Sequence, residues 1–263
     1  MLLLLKLTLV PLCIAGITLA GRRWGSALAG LLGGCPIVGG PIVIFIAAEQ
    51  GLAFGAQAAT AALYAVVCLL AYGTAYAWAS LRWPWPGTLA IGLVIWFLAA
   101  AAMTRLPQAP WAATLAALLA LLILPALQPR VPASTRAPTR SIRDLPYRML
   151  TATLLTLAVT GAASMLGAVW SGMLAAFPIV SLTLAVFTHA FQGSAQVVAM
   201  FHGMTRGLGS FTAFFLVLAL AWPALNLWQG SLLAIAVALS MQLVLRAIAH
   251  WRMAGRRSVE RGV

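Results

Sequence analysis

Acidic side chains are scarce in this 263-residue chain, which has three Asp and Glu residues against 16 Lys and Arg. They are Glu49, Asp144 and Glu260, and only Glu49 lies at or near a hydrophobic segment. A catalytic pair of carboxylates within the membrane is therefore excluded, and clustered acids for a metal-dependent transferase are lacking.

Other catalytic and binding motifs are also missing. The three cysteines, Cys13, Cys35 and Cys68, have neither CxxC spacing nor nearby ligands, so the sequence predicts no metal site and no disulfide framework. No P-loop occurs, so ATP-driven transport would need a separate subunit. Ser171-Gly172 has no second feature of a serine-protease motif. We predict no enzyme, no catalytic residue and no cofactor.

Hydrophobic residues are abundant instead, at 63% of the chain, with 7% charged residues and a mean hydropathy of +1.02. Many apolar stretches reach the length needed to span a bilayer. We predict an all-α, polytopic membrane bundle surrounded by lipid. The net charge of +13 does not indicate a nucleic-acid partner, because the arginines lie between apolar spans and in the tail.

The apolar pattern predicts nine spanning helices. Their predicted ranges are 2–20, 25–48, 56–79, 87–104, 110–127, 149–166, 171–190, 208–224 and 228–247. With the N-terminus outside, 14 of the 16 Lys and Arg residues are cytoplasmic, and only Lys6 and Arg105 are not. The positive-inside rule therefore predicts a bacterial inner-membrane protein with an external N-terminus and a cytoplasmic C-terminus.

Two segments of the chain repeat each other at a constant offset of 142. Residues 36–51 read PIVGGPIVIFIAAEQG, and residues 178–193 read PIVSLTLAVFTHAFQG, with seven identities. One extra helix between two four-helix units would make the second unit run in the opposite direction, which is an inverted repeat in a 4+1+4 arrangement. We divide the chain into a first repeat over 1–106, a linker helix with an Arg-rich cytoplasmic loop over 107–148, a second repeat over 149–247 and a basic cytoplasmic tail over 248–263.

Prolines and glycines cluster in the segment GGCPIVGGP, residues 33–41, near the middle of the second predicted helix. Such a cluster predicts a kinked or unwound helix whose freed backbone groups line a cavity. The alternative is a close packing face of small residues, and both interpretations stay open. The predicted substrate-binding residues are Pro36, Gly39, Gly40, Pro41, Gln50, Pro178 and Gln192.

Two residues are candidates for coupling transport to protons. Glu49 is an isolated carboxylate near hydrocarbon, where a charge is costly and often functional. His189, near the end of the seventh predicted helix, can exchange protons near neutral pH. The alternatives are that Glu49 lies at the outer water boundary and that His189 is an interfacial side chain.

The stretch SGMLAAFP, residues 171–178, precedes an apolar run to His189 and Gly193. It resembles the GlpM-type small inner-membrane proteins, which look like four-helix units with an FP motif and a following histidine, at a different spacing from proline to histidine. The resemblance covers the seventh predicted helix and its surroundings. It implies that each half of the chain is one such unit, and a link to export of envelope material.

Together these features predict a secondary transporter or flippase that moves a small or lipid-like solute by alternating access, alone or as a homo-oligomer. The alternative function is a non-catalytic accessory subunit of an envelope-polymer or lipid assembly, which would form a stable complex with a larger partner and move no solute.

Overall fold

The computed structural model describes residues 2–132, 144–165, 173–174 and 177–261. Every regular element in these ranges is helical, which confirms the all-α class. The helices are α1 (Leu2–Trp24), α2 (Ser26–Gly34), α3 (Gly39–Gln50), α4 (Leu52–Ala79), α5 (Trp85–Met103), α6 (Pro110–Ile123), α7 (Leu145–Met165), α8 (Ile179–Gln192), α9 (Ser194–Ala221) and α10 (Leu227–Arg261). A 3-10 turn, Leu124–Leu127, extends α6.

Six segments of the described chain are long and apolar enough to cross a bilayer. They are Ser26–Gln50, Leu52–Ala79, Trp85–Met103, Pro110–Leu127, Ser194–Ala221 and Leu227–Leu245. Leu145–Val159 and Ile179–Gln192 are shorter apolar helices. The chain therefore has the helices of a multi-pass membrane protein, whereas the count of nine spans stays a prediction.

The centre of the bundle is the pair α4 and α9. In the most apolar stretch of each, 67% of the residues are buried, against 17% to 28% in the other four long segments. The two helices run antiparallel, because Gly55 near the start of α4 lies beside Trp222 after the end of α9, and Gly73 near the end of α4 lies beside Phe201 near the start of α9. Small residues on α4 allow this close approach.

Helix α2 packs on α9 through glycines on both helices. Gly30 and Gly34 of α2 face Gly203 and Gly207 of α9, and each pair has the GxxxG spacing. A Cβ on any of the four would overlap a carbonyl oxygen of the facing helix. The two backbones are therefore in direct contact, as in close helix pairs of membrane proteins.

Helix bounds recur at the offset of the sequence repeat. α4 and α9 both have 28 residues, and α9 begins 142 positions after α4. Each follows a glycine with positive φ, Gly51 at 93° and Gly193 at 88°. The helices before these glycines, α3 and α8, both end at a glutamine, and the helices after α4 and α9 begin at Trp85 and Leu227, again 142 apart.

The start predicted for the eighth span is wrong. The sequence suggested a helix over 208–224, but α9 begins at Ser194. The gap between the predicted spans 171–190 and 208–224 includes residues 201–207, whereas in the structure the two glycines of this segment pack on α2 and Arg206 is exposed on the helix surface. Helix α4 begins at Leu52 instead of 56, and α10 continues to Arg261 instead of ending at 247. Parts of the predicted spans 149–166 and 171–190 lie outside the described residues.

Helix α6, the additional helix between the two proposed units, packs on both central helices. The segment after it is anchored by hydrogen bonds. Trp78 Nε1 of α4 donates to the Leu127 carbonyl at 2.7 Å, and His202 Nε2 of α9 lies 3.0 Å from the Pro129 carbonyl. The hairpin of α5 and α6 is thereby held against the core.

Candidate functional site

The helix interruption that the prolines and glycines predict is present between α2 and α3. α2 ends at Gly34 and α3 begins at Gly39, with Cys35 to Val38 outside both helices. Cys35 is extended, with φ −79° and ψ 158°, as expected for a residue before proline. α3 then restarts with a hydrogen bond from Gly40 N to the Pro36 carbonyl at 3.0 Å.

A second interruption precedes α8. Phe177 and Pro178 are not helical, and Pro178 is the residue before the first turn of α8. Residues 166–172 and 175–176 lie outside the described part of the chain. The prediction that this second break is milder than the first therefore stays a prediction.

The two interruptions meet at a small cavity of about 60 Å³ between α1, α4 and α9. Its lining includes five pairs of residues at the repeat offset of 142: Cys35 and Phe177, Ile37 and Ile179, Val38 and Val180, Gly39 and Ser181, and Leu69 and Phe211. Equivalent residues of the two segments therefore face one another across a shared centre.

A larger cavity of about 400 Å³ lies between α2, α3, α9 and α10. Its wall is almost entirely apolar and includes Cys35, Pro36 and Pro41 at the first helix interruption, with Ala238 and Gln242 of α10 opposite. Its volume is within the range of small-molecule pockets, roughly 300–1,000 Å³.

Five of the predicted substrate-binding residues lie at or beside these cavities. Gly39 and Pro178 line the small cavity, and Pro36 and Pro41 line the large one. Gly40 packs on the ring of Phe214, where an added Cβ would lie 3.1 Å from the ring.

The structure does not bring Gln50 and Gln192 together. Each is the last residue before the turn into a central helix, Gln50 before α4 and Gln192 before α9. Because α4 and α9 are antiparallel and 28 residues long, their starts lie about 40 Å apart. Glu49 is exposed beside Gln50, at the end of the bundle away from Gln192.

His189 lies in a group of buried aromatic side chains that the sequence analysis did not identify. Its ring centroid is 6.0 Å from that of Tyr76, which is 5.7 Å from that of Tyr72. Within the described residues, Tyr72 Oη, Tyr76 Oη and His189 Nδ1 are buried and have no hydrogen-bond partner. Buried polar atoms are usually paired with protein, water or a ligand, so this group has capacity to bind a polar molecule. The i, i+4 spacing of the tyrosines in an apolar helix was the available sequence signal.

A charged cluster at one end of α1 and α7 was also missed. Asp144 accepts hydrogen bonds from Arg22 Nη2 and, at 2.8 Å, from Arg148 Nε. The three side chains are 14%, 8% and 3% exposed, and the Arg148 guanidinium lies 5.0 Å from the centre of the Phe187 ring. The i, i+4 spacing of Asp144 and Arg148 was visible in the sequence, but the pairing with Arg22 depends on the fold.

Among the described residues, no group of three or more His, Cys, Asp or Glu side chains could hold a metal ion. No protein-family model, curated protein or solved structure matches this chain. The resemblance to the GlpM-type proteins stays a prediction.

Proposed function

We propose that this protein is a membrane transporter or flippase that moves a small or lipid-like solute by alternating access around the two interrupted helices. The observation that carries this proposal is the lining of the small cavity by five residue pairs at the repeat offset. Interrupted helices at the interface of two repeats, near mid-membrane, are the usual site of substrate binding in such transporters.

An inverted repeat is part of this proposal. The central helices α4 and α9 have equal lengths at the repeat offset and pack antiparallel. Two equivalent helices that pack antiparallel are related by a twofold axis perpendicular to both helices. In a bilayer such an axis lies in the membrane plane, which is the symmetry of inverted repeats.

Helices α1 and α7 give the same support. The end of α1 meets the start of α7 through Arg22 and Asp144, and Ile14 packs in one cluster with Ala152. These contacts make α1 and α7 antiparallel. Their first residues, Leu2 and Leu145, are separated in sequence by nearly the repeat offset. In the proposed 4+1+4 arrangement, α7, α8, α9 and α10 of the second unit correspond to α1, α3, α4 and α5 of the first unit.

The orientation with a cytoplasmic C-terminus remains our proposal. Arg22 and Arg148 share Asp144, so they lie at the same end of the bundle. That end is the Arg-rich side in the charge count, which favours the cytoplasm. The location in a bacterial inner membrane rests on the same argument.

Alternating access can be tested without knowing the solute. In a protein with Cys13, Cys35 and Cys68 replaced by alanine, Ser181→Cys would place one thiol at the small cavity, where Ser181 is 3% exposed. We expect a membrane-impermeant thiol reagent to modify this cysteine from either side of sealed vesicles. Ala62→Cys is the matched control, because Ala62 is 1% exposed in α4 and lines neither cavity.

Modification from one side only would indicate a fixed opening instead of alternating access. Modification from neither side, as in the control, would favour the accessory-subunit function. Purification in mild detergent would then be the next measurement, because an accessory subunit should retain a larger partner.

Sidedness of the repeat ends tests the inverted arrangement. Gln50→Cys and Gln192→Cys avoid the neighbouring glycines, whose positive φ disfavours any other residue. We expect an impermeant reagent to modify the two cysteines from opposite sides of the membrane. Modification from the same side would contradict the inverted repeat.

Proton coupling through Glu49 and His189 is also proposed. Glu49→Gln removes the charge while keeping the size of the side chain. If Glu49 carries the coupled proton, uptake in vesicles loses its pH dependence, and unchanged uptake with unchanged pH dependence would exclude this role. The same comparison with His189→Gln tests the histidine, which lies at the other end of the bundle.

A further inference from the structure

Two residues in the wall of the large cavity correspond, at the repeat offset, to larger aromatic residues in the other half of the chain. Ala238, in its wall, corresponds at the repeat offset to Trp96, and Cys35 corresponds to Phe177. Trp96 is fully buried, and its ring centroid lies 4.9 Å from that of Phe177 and 5.1 Å from that of Phe97. An indole therefore fills the place that an alanine leaves open in the other half.

This difference leaves more room beside Ala238 than beside Trp96. Protein interiors are normally packed without voids much larger than a water molecule. Among the described residues of the other half, the position equivalent to Ala238 is filled by the buried Trp96, which contacts Phe177. Small side chains at Ala238 and Cys35 create the space of about 400 Å³.

The mouth of the cavity faces the lipid side of the bundle. Three apolar residues of its wall are well exposed, Ile37 at 40%, Ile235 at 43% and Leu239 at 62%. All three belong to long apolar segments of spanning character. A molecule dissolved in the hydrocarbon layer can therefore reach the cavity from the side, without passing through water.

One polar atom in this apolar wall has an unused hydrogen-bonding capacity. Gln242 Oε1 is buried, and no donor among the described residues reaches it. The nearby Ser210 hydroxyl donates to the Gly207 carbonyl at 2.8 Å. At the repeat offset, Gln242 corresponds to Ala100, so the other half has no amide at this position. An unpaired acceptor in an apolar site favours a ligand with a donor.

We propose that this cavity binds a hydrocarbon-chain molecule that carries one hydroxyl group and enters from the bilayer, and that the Gln242 amide turns toward this molecule so that its Oε1 accepts from the hydroxyl. This proposal names the substrate class of the transporter, and in that respect it rests on the proposed function. Long-chain alcohols are the simplest members of the class, because the cavity has apolar walls for the chain and one acceptor for the hydroxyl.

Photolabelling of the purified full-length protein in lipid nanodiscs tests the proposal. The probes are hexadecanol with a diazirine in the chain and its methyl ether, which has the same chain but no donor. We expect the alcohol to label residues of α2, α3 or α10 at the cavity. A single hydrogen bond corresponds to about fivefold tighter binding of the alcohol than of the ether.

Three tryptophan variants separate the cavity from the surrounding lipid-facing surface, and a fourth variant tests the hydrogen bond. Ala238→Trp copies the filled half, so it should abolish specific labelling. Ile235→Trp narrows the mouth and serves the same purpose if Ala238→Trp does not fold. Leu232→Trp is the control, because Leu232 is 64% exposed on α10 and does not line the cavity. Gln242→Leu should reduce the alcohol to the level of the ether.

Equal labelling by both probes in the unmodified protein would overturn the proposed hydrogen bond and ligand class. Labelling that persists in both Ala238→Trp and Ile235→Trp would overturn the site. Neither result affects the thiol test of alternating access. Modification of Ser181→Cys from both sides of the membrane would still support that mechanism. Conversely, specific labelling without two-sided reactivity would keep the lipid site and reject transport.

Discussion

Gly30 of α2 lies directly on the backbone of Met200 in α9, so that a Cβ on Gly30 would overlap the Met200 carbonyl oxygen. The facing helix repeats the relationship, because a Cβ on Gly203 would overlap the carbonyl of Ala27. This contact holds the first half of the interrupted helix against the bundle core. The second half, α3, meets α9 through the phenylalanine side chains Phe211, Phe214 and Phe215 instead of through backbone.

Replacing Gly30 with alanine should destabilise the protein strongly. The added methyl group meets backbone, which cannot rotate away as a side chain can, and overpacking of this kind costs about 1–3 kcal/mol. Thermal unfolding in detergent measures the loss. Gly16→Ala is the control, because Gly16 is in α1 with no atom near its added Cβ, and there alanine should add about 0.5–1 kcal/mol through helix propensity. Equal stability of the two variants would contradict the close α2–α9 contact.

Replacing Gly51 or Gly193 with alanine should destabilise the protein to a similar extent in both repeats. Nothing lies within 4 Å of the added Cβ at either position, so the cost comes from the positive φ alone. We expect about 1–2 kcal/mol for each. Guanidinium or SDS unfolding of the purified variants measures it. An effect at only one of the two glycines would show that the turns are not equivalent in energy.

Asp144→Asn should cost about 3 kcal/mol, because it leaves the charges of Arg22 and Arg148 buried without their shared partner. The unfolding free energy should change little between low and high salt, since the cluster is mostly buried. Arg82→Gln is the control for an exposed charge, and it should alter stability by less than about 0.5 kcal/mol. A small effect of Asp144→Asn would mean that water enters the cluster.

Tyr72→Phe should leave stability unchanged or raise it by up to about 1 kcal/mol, because the hydroxyl has no partner among the described residues. Tyr64→Phe is the matched variant on the same helix. Its hydroxyl donates to the Pro107 carbonyl at 2.6 Å, so its removal should cost about 1 kcal/mol. A clear loss of stability in Tyr72→Phe would reveal a bound water or solute in the group around His189.

The interrupted helix could be predicted from sequence because its cause is local. Pro36 restricts the residue before it and lacks an amide hydrogen, and these effects do not depend on the rest of the fold. The start of α9 could not be predicted in the same way. Gly203 and Gly207 look like loop residues until α2 is placed against them, and only then does their lack of a side chain explain the helix.

The candidate site shows the same division. Gly39 lines the small cavity together with its equivalent Ser181, in agreement with the repeat. Gln50 and Gln192 match equally well, yet an antiparallel arrangement of the central helices sends these matched ends to opposite sides of the bundle. Matched residues near the middle of the two helices, such as Leu69 and Phe211, line one cavity, and matched residues at the helix ends lie far apart. Matching positions in the sequence do not by themselves show how far apart two residues lie in the fold.

Burial is concentrated in two helices, α4 and α9, while the other long segments bury less than a third of their most apolar stretch. In a bilayer, the exposed apolar side chains of these outer helices are covered by acyl chains instead of protein. Lipid thickness and order act as part of its outer wall, so a bilayer that fits the outer helices poorly weakens the fold even when the central pair is intact. The choice of lipid or detergent is thus a variable of the same rank as a core mutation in every stability measurement on this chain.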